Sequence, residues 1–239
     1  TMSKQKGDDS AFGVAAGSPR VLVACEYSAR VRDAFRALGC DAWSCDLEPC
    51  EGDPQWHIRG DVLDVLGAGW DMMIAHPPCT YLAASGMHWT VRGLRDPALT
   101  DRAADFFAKL YHAPIARKCI ENPIGCMSKR LCAPTQRVQP WQFGDPESKL
   151  TCLWLVGLPP LVATHADGDL FAETLPERGA HGRWRNQTAS GQNNLRPGPD
   201  RWKERSRTYP GIARAMATQW APLLANTVVR DGPSAGRSL

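Results

Sequence analysis

From Trp70 to Cys79 the chain reads Trp70-Asp71-Met72-Met73-Ile74-Ala75-His76-Pro77-Pro78-Cys79. The apolar part of this run predicts a central β-strand, and the two prolines end it because they fix φ and remove backbone donors. Cys79 is thereby placed at the carboxyl edge of a sheet. Open α/β sheets keep their ligands and their chemistry at that edge.

A second apolar run, 115–120, predicts another strand, and Glu121-Asn122-Pro123 caps it with a polar pair and a proline. One strand end therefore offers a thiol and the other a carboxyl group, which suggests covalent catalysis with an acid beside the nucleophile. Two plainer interpretations stay open. Cys79 could be a buried structural cysteine, and Glu121 could be a capping or salt-bridged surface acid.

Other segments alternate between strand and helix patterns. Strands are predicted over 20–25, 41–46 and 151–156, a short helix capped by Asp61 runs to Leu66, and longer helices cover 30–38, 101–112 and 212–225. This alternation predicts right-handed βαβ crossovers and an α/β fold with a mainly parallel central sheet and helices on both faces.

Length and composition limit the class of protein. With 239 residues, 43% hydrophobic and 22% charged, the chain can bury one good core and resembles an ordinary cytoplasmic protein. No apolar run reaches the ~20 residues that span a membrane. We predict a disordered lead over 1–19, a single domain over 20–226 and a disordered tail over 227–239. The nine cysteines lack the CxxC pairs typical of structural zinc, so we expect no metal.

Basic residues are concentrated between Arg178 and Arg207, although the formal net charge is only +3. Aromatic and amide residues lie between these cations, as phosphate binding requires. A solvated loop is the other interpretation. The candidates for nucleic-acid contact are Arg183, Arg185, Arg196, Lys203 and Arg205.

Several ordered motifs carry a resemblance to a known family. They are Cys25-Glu26-Tyr27-Ser28, His76-Pro77-Pro78-Cys79-Thr80-Tyr81-Leu82, Glu121-Asn122-Pro123, Gln139-Pro140-Trp141-Gln142-Phe143-Gly144 and Glu204-Arg205-Ser206-Arg207-Thr208-Tyr209-Pro210-Gly211-Ile212-Ala213. Together they resemble the cytosine-5 DNA methyltransferases, and more closely a compact phage and prophage branch. The likeness spans roughly residues 20–222 and implies a Rossmann-like fold that uses S-adenosylmethionine.

The resemblance also implies roles for the two strand-end residues. Cys79 would add to C6 of cytosine, breaking the aromaticity so that C5 can accept a methyl group. Glu121, with a pKa raised by burial, would stabilise the charge that develops toward N3. The base that removes the C5 proton is not identified.

Cofactor and base contacts are implied in the same way. The first turn would approach the methionine part, an acid after the second strand would accept both ribose hydroxyls, and an acid after the third would meet the adenine amine. Asp46 could instead be an ordinary turn acid, and Asp61 only a helix cap. Lys149 lies where the family keeps a residue that touches the base. The implied cofactor-binding residues are Cys25, Glu26, Tyr27, Ser28, Ala29, Asp46, Leu47, Asp61, Val62, His76 and Pro77.

The chain departs from the family pattern in two places. Its first turn has no glycine, and only 161–199 is available where sequence-reading members insert a recognition domain. We therefore predict a phage DNA-modification enzyme of low sequence specificity that flips its target base, and a partner protein is a candidate for supplying target recognition. Two alternatives remain: the same chemistry on a free or single-stranded cytosine nucleotide, or a catalytically silent nucleic-acid-binding module.

Overall fold

The structure, a computed structural model, describes residues 17–165, 176–188, 198 and 201–225. The tail expected over 227–239 and all but three residues of the lead expected over 1–19 lie outside this part of the chain. So does Arg196.

Seven strands form one sheet. They are β1 Arg20–Ala24, β2 Asp41–Asp46, β3 His57–Arg59, β4 Met72–Ala75, β5 Arg117–Pro123, β6 Gln136–Val138 and β7 Thr151–Val156. Their order across the sheet is β3-β2-β1-β4-β5-β7-β6; β7 pairs antiparallel with both β5 and β6, and the other pairs of the described sheet are parallel. This mainly parallel sheet confirms the predicted Rossmann-like α/β fold class.

Helices cover both faces of the sheet. They are α1 Arg30–Arg36, α2 Ala84–Val91, α3 Pro97–Tyr111, α4 Met127–Arg130, α5 Arg201–Ser206, α6 Pro210–Trp220 and α7 Pro222–Ala225. Short 3₁₀ turns lie at Pro54–Trp56, Val62–Asp64, Pro140–Phe143 and Ala180–Gly182.

Alternate residues of the central strands pack into two cores. Val21 and Val23 face α1 and α6, whereas Leu22 and Ala24 face the side covered by α3. Because side chains alternate along a strand, a strand that is buried on both faces appears as a continuous apolar run. That is why β1 and β4 could be recognised from the sequence.

Several predicted boundaries differ from the structure. The helix predicted from residue 101 begins at Pro97, where the Asp96 side chain accepts a hydrogen bond from the Ala98 N–H at 2.9 Å. The final helix breaks at Pro222, which cannot continue the backbone ladder. The strand predicted to end at Ile120 continues to Pro123, because β7 pairs with it beyond the end of β4.

Most of the segment 81–91, to which the sequence pattern assigned no element, is helical as α2. This helix buries none of its residues, so it has no apolar periodicity to reveal it. In the described part of the chain, no helix has the length and apolar character needed to cross a membrane.

Candidate active site

The ends of β4 and β5 bring a histidine and a glutamate into direct contact. Ala75 pairs with Ile120 in the β4–β5 register, so the next residue of each strand meets the other at the carboxyl edge. His76 Nδ1 lies 2.6 Å from Glu121 Oε2, and the two side chains are only 7% and 12% exposed. The resemblance implied that His76 binds the cofactor. In the structure its Nδ1 atom instead contacts Glu121, which was expected to act together with Cys79.

Glu121 differs from expectation in two respects. It lies inside β5, opposite Leu153 of β7, and does not cap the strand. Burial by itself would raise the pKa of Glu121, but the hydrogen bond from His76 and the charges of His76 and Lys149 hold it below its ordinary value. The raised pKa predicted from burial alone is therefore wrong, because the partner histidine was not foreseen.

Cys79 lies in a tight turn beside this pair. Its carbonyl accepts the backbone N–H groups of Leu82 and Ala83, and the Asn122 amide donates to the Pro77 carbonyl at 2.8 Å. Burial raises the pKa of the Cys79 thiol, Lys149 and Arg205 lower it, and Glu121 raises it. The thiol, the carboxylate and the two cations therefore act on one another within a single site.

The segment after Cys79 is fastened to the segment after Glu121. Ala84 N–H donates to the Ile124 carbonyl at 2.8 Å, and Cys126 N–H donates to the Leu82 carbonyl at 2.9 Å. A Cβ added at Gly125 would lie 1.9 Å from the Leu82 oxygen. The missing side chain of Gly125 thus permits the close approach that fixes the two strand-end segments together.

Replacing Gly125 by alanine should destabilise the protein by about 1–3 kcal/mol, because backbone atoms must move to accept the new methyl group. Urea unfolding measures the change. The matched control is Gly67→Ala, since nothing lies within 4 Å of a Cβ added there. Equal stability of the two variants would contradict the close approach.

The glycine-free first turn adopts conformations that usually require glycine. Cys25 has φ +58° and Ala29 has φ +62°, both in the left-handed region. Glu26 is buried, and its carboxylate accepts the backbone N–H groups of Val31 at 2.8 Å and Arg32 at 3.2 Å, with Ser28 Oγ at 3.3 Å. Local hydrogen bonding therefore compensates for part of the strain that the missing glycines would have avoided.

The two acids expected to bind the cofactor lie near the first turn. Burial raises the pKa of the Cys25 thiol strongly, and the charges of Asp46, Cys45 and Asp61 raise it further. Asp46 Oδ1 accepts the Glu48 N–H at 3.0 Å, and burial raises the pKa of this carboxyl group. Asp61 caps the 3₁₀ turn through the Leu63 N–H at 2.9 Å, as its plainer interpretation predicted. Of the neighbouring residues, Leu47 is exposed and Val62 is buried.

Tyr27 connects the first turn to the basic segment. Its hydroxyl donates to the Lys203 carbonyl at 2.6 Å and lies 3.2 Å from Ser206 Oγ, while its ring packs against Trp202 at 5.9 Å. Arg30 of α1 donates to the Thr208 carbonyl at 3.0 Å. Helix α5 is therefore held over the turn where the cofactor is expected.

Lys149 is placed by the Gln139 motif. Gln139 Oε1 accepts the Lys149 N–H at 2.9 Å, and Lys149 Nζ donates to the Arg205 carbonyl at 2.8 Å. The charge of Lys149 acts on Cys79, His76 and Glu121. The resemblance placed Lys149 where the family contacts the base, and in the structure its charge acts on the Cys79 thiol.

The remaining basic candidates differ in their environment. Arg185 forms an ion pair with Glu147 at 2.6 Å, and Lys203 Nζ lies 5.5 Å from the Trp202 ring centroid. Arg183 is half-buried and follows the 3₁₀ turn Ala180–Gly182, whereas the Arg205 side chain is exposed. These groups do not form one uniform patch.

The sequence missed the polar and aromatic contacts that fasten the basic segment to the domain. Trp141 stacks on Trp184 with centroids 5.8 Å apart and planes 6° apart, and the Arg178 guanidinium lies 4.9 Å from the Trp184 ring. Tyr209 donates to Glu147 at 2.6 Å. The Trp141 motif was recognised, but these partners are distant in sequence and nothing in the local pattern identifies them.

Comparison with known proteins adds a distant structural likeness. No protein-family model and no curated protein matches the chain. A solved structure described as a candidate DNA modification methyltransferase encoded within an E. coli prophage is 13% identical, with a TM-score of 0.38. The match covers 58% of this chain and 46% of that one, so this chain spans less than half of the matched structure's length. A likeness at this level carries no inference about activity.

Proposed function

We propose that the protein is an S-adenosylmethionine-dependent methyltransferase that modifies C5 of cytosine in DNA through a covalent bond between Cys79 and C6. The observation that carries this proposal is the meeting of the β4 and β5 ends, where the charge of Glu121 acts on the Cys79 thiol. A thiol and a carboxyl group on neighbouring strand ends can address two positions of one pyrimidine ring.

The chemistry assigns one task to each group. Cys79 Sγ adds to C6, which moves the C5–C6 π electrons onto C5 and from there toward N3. A proton delivered by the Glu121 carboxyl group stabilises the charge that develops at N3. When bound, S-adenosylmethionine would supply its sulfonium methyl group to C5 and leave as S-adenosylhomocysteine. Loss of the C5 proton to solvent water then restores the C5–C6 double bond and releases the Cys79 thiolate. Lys149 and Arg205 favour the thiolate because both lower the pKa of Cys79 against the effect of burial.

The first turn and the ends of β2 and β3 fit the proposed cofactor. Asp46 Oδ1 accepts the Glu48 N–H, and the Leu47 backbone also hydrogen-bonds to this carboxyl group. A carboxylate oxygen can accept more than one hydrogen bond, so Asp46 is still suited to accept ribose hydroxyls. Asp61 lies close enough to act electrostatically on the same turn. The Tyr27 hydroxyl donates to the Lys203 carbonyl, so a hydrogen bond joins the first turn to α5 of the basic segment.

DNA binding is assigned to the cations nearest the thiol. The charges of Arg205 and Lys149 act on Cys79, and Lys203 lies two residues before Arg205 on α5. Phosphate contacts by such groups give affinity without reading sequence. With few residues available for base readout, we propose low sequence specificity or a partner protein that supplies it.

Replacing Arg205 by glutamine should weaken DNA binding and reduce the slope of log K against log salt by about one unit, since one phosphate contact is lost. Fluorescence anisotropy between low and moderate salt measures the slope. Arg185→Gln is the matched control, because Glu147 already compensates that charge. A larger loss in the control would move the DNA path away from α5.

The proposed activity is tested with labelled S-adenosylmethionine and three unmethylated substrates: duplex DNA, single-stranded DNA and a cytosine mononucleotide. Nucleoside analysis should identify 5-methylcytosine from DNA. Label on the mononucleotide alone would favour the small-molecule alternative. Salt-sensitive DNA binding with no cofactor binding in calorimetry would favour the silent binding module.

A further inference from the structure

His76 is influenced by two buried carboxyl groups, Glu121 in β5 and Glu26 in the first turn. Its backbone N–H donates to the Ala24 carbonyl of β1 at 2.9 Å, which sets its ring beside the first turn. Nδ1 bonds Glu121 of β5 at 2.6 Å. The charge of Glu26, from the first turn, also acts on the ring.

The surroundings favour the protonated ring. Burial would lower the pKa of His76, but the hydrogen bond and charge of Glu121, together with the charge of Glu26, raise it, and Lys149 opposes them. Glu121 has a lowered pKa for the reciprocal reason. The pair is therefore an imidazolium and a carboxylate between the lowered pKa of Glu121 and the raised pKa of His76.

The second ring nitrogen has no competing use among the described residues. Nε2 of His76 is buried and has no hydrogen-bond partner within them. Within the described residues, Nδ1 is therefore the hydrogen-bonded nitrogen of the ring, and its partner is the Glu121 carboxylate.

We propose that His76 is a positioning residue that orients Glu121 and stores the proton which Glu121 delivers to N3 of the pyrimidine. This inference rests on the proposed function and names a residue that the resemblance had given to the cofactor. When the Cys79 sulfur bonds to C6, the π pair moves toward N3, and one proton passes from the His76–Glu121 pair to N3. When the C5 proton leaves and the C6–S bond breaks, N3 returns its proton to the pair. The His76–Glu121 pair is unchanged after one turnover, the C5 proton passes to solvent water, and the methyl group comes from S-adenosylmethionine.

His76→Asn tests the assignment, because an asparagine amide places an N–H near the position of Nδ1 but does not titrate in this range. The expected result is a fall in kcat of roughly 10²-fold with the KM for S-adenosylmethionine unchanged. Wild-type kcat should level off and fall as the pH rises through the raised pKa of His76, because the stored proton is lost. In the variant, kcat should continue to rise with pH as the thiol ionises. His112→Asn, on an exposed residue, is the matched control.

A measurement independent of turnover is NMR titration of ¹³C-labelled histidine, with His76 assigned from the variant. The His76 signal should titrate above the ordinary histidine range, and Glu121→Gln should lower that pKa. A raised KM for the cofactor with normal kcat in His76→Asn, or a His76 pKa indifferent to Glu121→Gln, would overturn the inference. If the wild type produced no 5-methylcytosine from any substrate, the proposed function and the catalytic part of this inference would both fail, while the titration would still decide whether the pair exists.

Discussion

Replacing Cys79 by serine should lower 5-methylcytosine formation by roughly 10³-fold or more, because a hydroxyl is a far weaker nucleophile than a thiolate at neutral pH. Single-turnover transfer of label from S-adenosylmethionine to DNA measures the chemical step. Calorimetry should give unchanged cofactor affinity, and circular dichroism should give an unchanged fold, since the substitution keeps the size of the side chain.

The matched control is Cys132→Ser, which changes another partly buried thiol outside the site. DNA that carries 5-fluorocytosine supplies a second readout, because fluorine cannot leave C5 as a proton does and elimination stalls at the covalent complex. The wild type and the control should form a denaturant-resistant adduct, and Cys79→Ser should form none. Full methylation by the serine variant would eliminate covalent catalysis.

The central strands could be read from the sequence because their physical signals are local. β2 and β7 were predicted with the bounds that the structure gives them, Asp41–Asp46 and Thr151–Val156. Burial on two faces makes such strands short apolar runs between turn residues. β3 and β6 have three residues each, which is too short for any periodic pattern. Their pairing depends on neighbouring strands that the local sequence does not encode.

The site was predictable in its parts and not in its electrostatics. The prolines that follow the two apolar runs placed Cys79 and Glu121 at the ends of predicted strands, but the sequence does not give the register between β4 and β5. That register decides that His76 meets Glu121, and this contact reverses the direction in which the pKa of Glu121 moves. A pKa inferred from burial alone fails wherever a charged partner arrives from a distant part of the chain.

The first turn illustrates how a fold can keep its geometry while losing its usual residues. Cys25 and Ala29 hold left-handed conformations that cost roughly 1–2 kcal/mol each in a residue with a Cβ. Glu26 bonds the first N–H groups of α1, and Tyr27 anchors α5, so the surrounding contacts offset that cost. The turn therefore forms without glycine because hydrogen bonds from the surrounding residues stabilise its left-handed conformations.

Replacing Glu121 by glutamine should reduce kcat by about 10²–10³-fold, because the amide can still hydrogen-bond but cannot deliver a proton to N3. The KM for S-adenosylmethionine should stay unchanged, and adduct formation with 5-fluorocytosine DNA should slow by a similar factor, since the lost charge stabilisation belongs to the addition step. The alkaline fall in kcat expected from the His76–Glu121 pair should disappear as well.

Glu177→Gln, on an exposed glutamate, provides the control for loss of one negative charge. The comparison with Cys79→Ser is also informative, because a nucleophile and the acid that assists it act in the same step and their effects should not add. The double variant should therefore be little slower than Cys79→Ser alone. Additive losses would place Glu121 in a different step from Cys79, and an unchanged rate in Glu121→Gln would separate the carboxyl group from the pyrimidine.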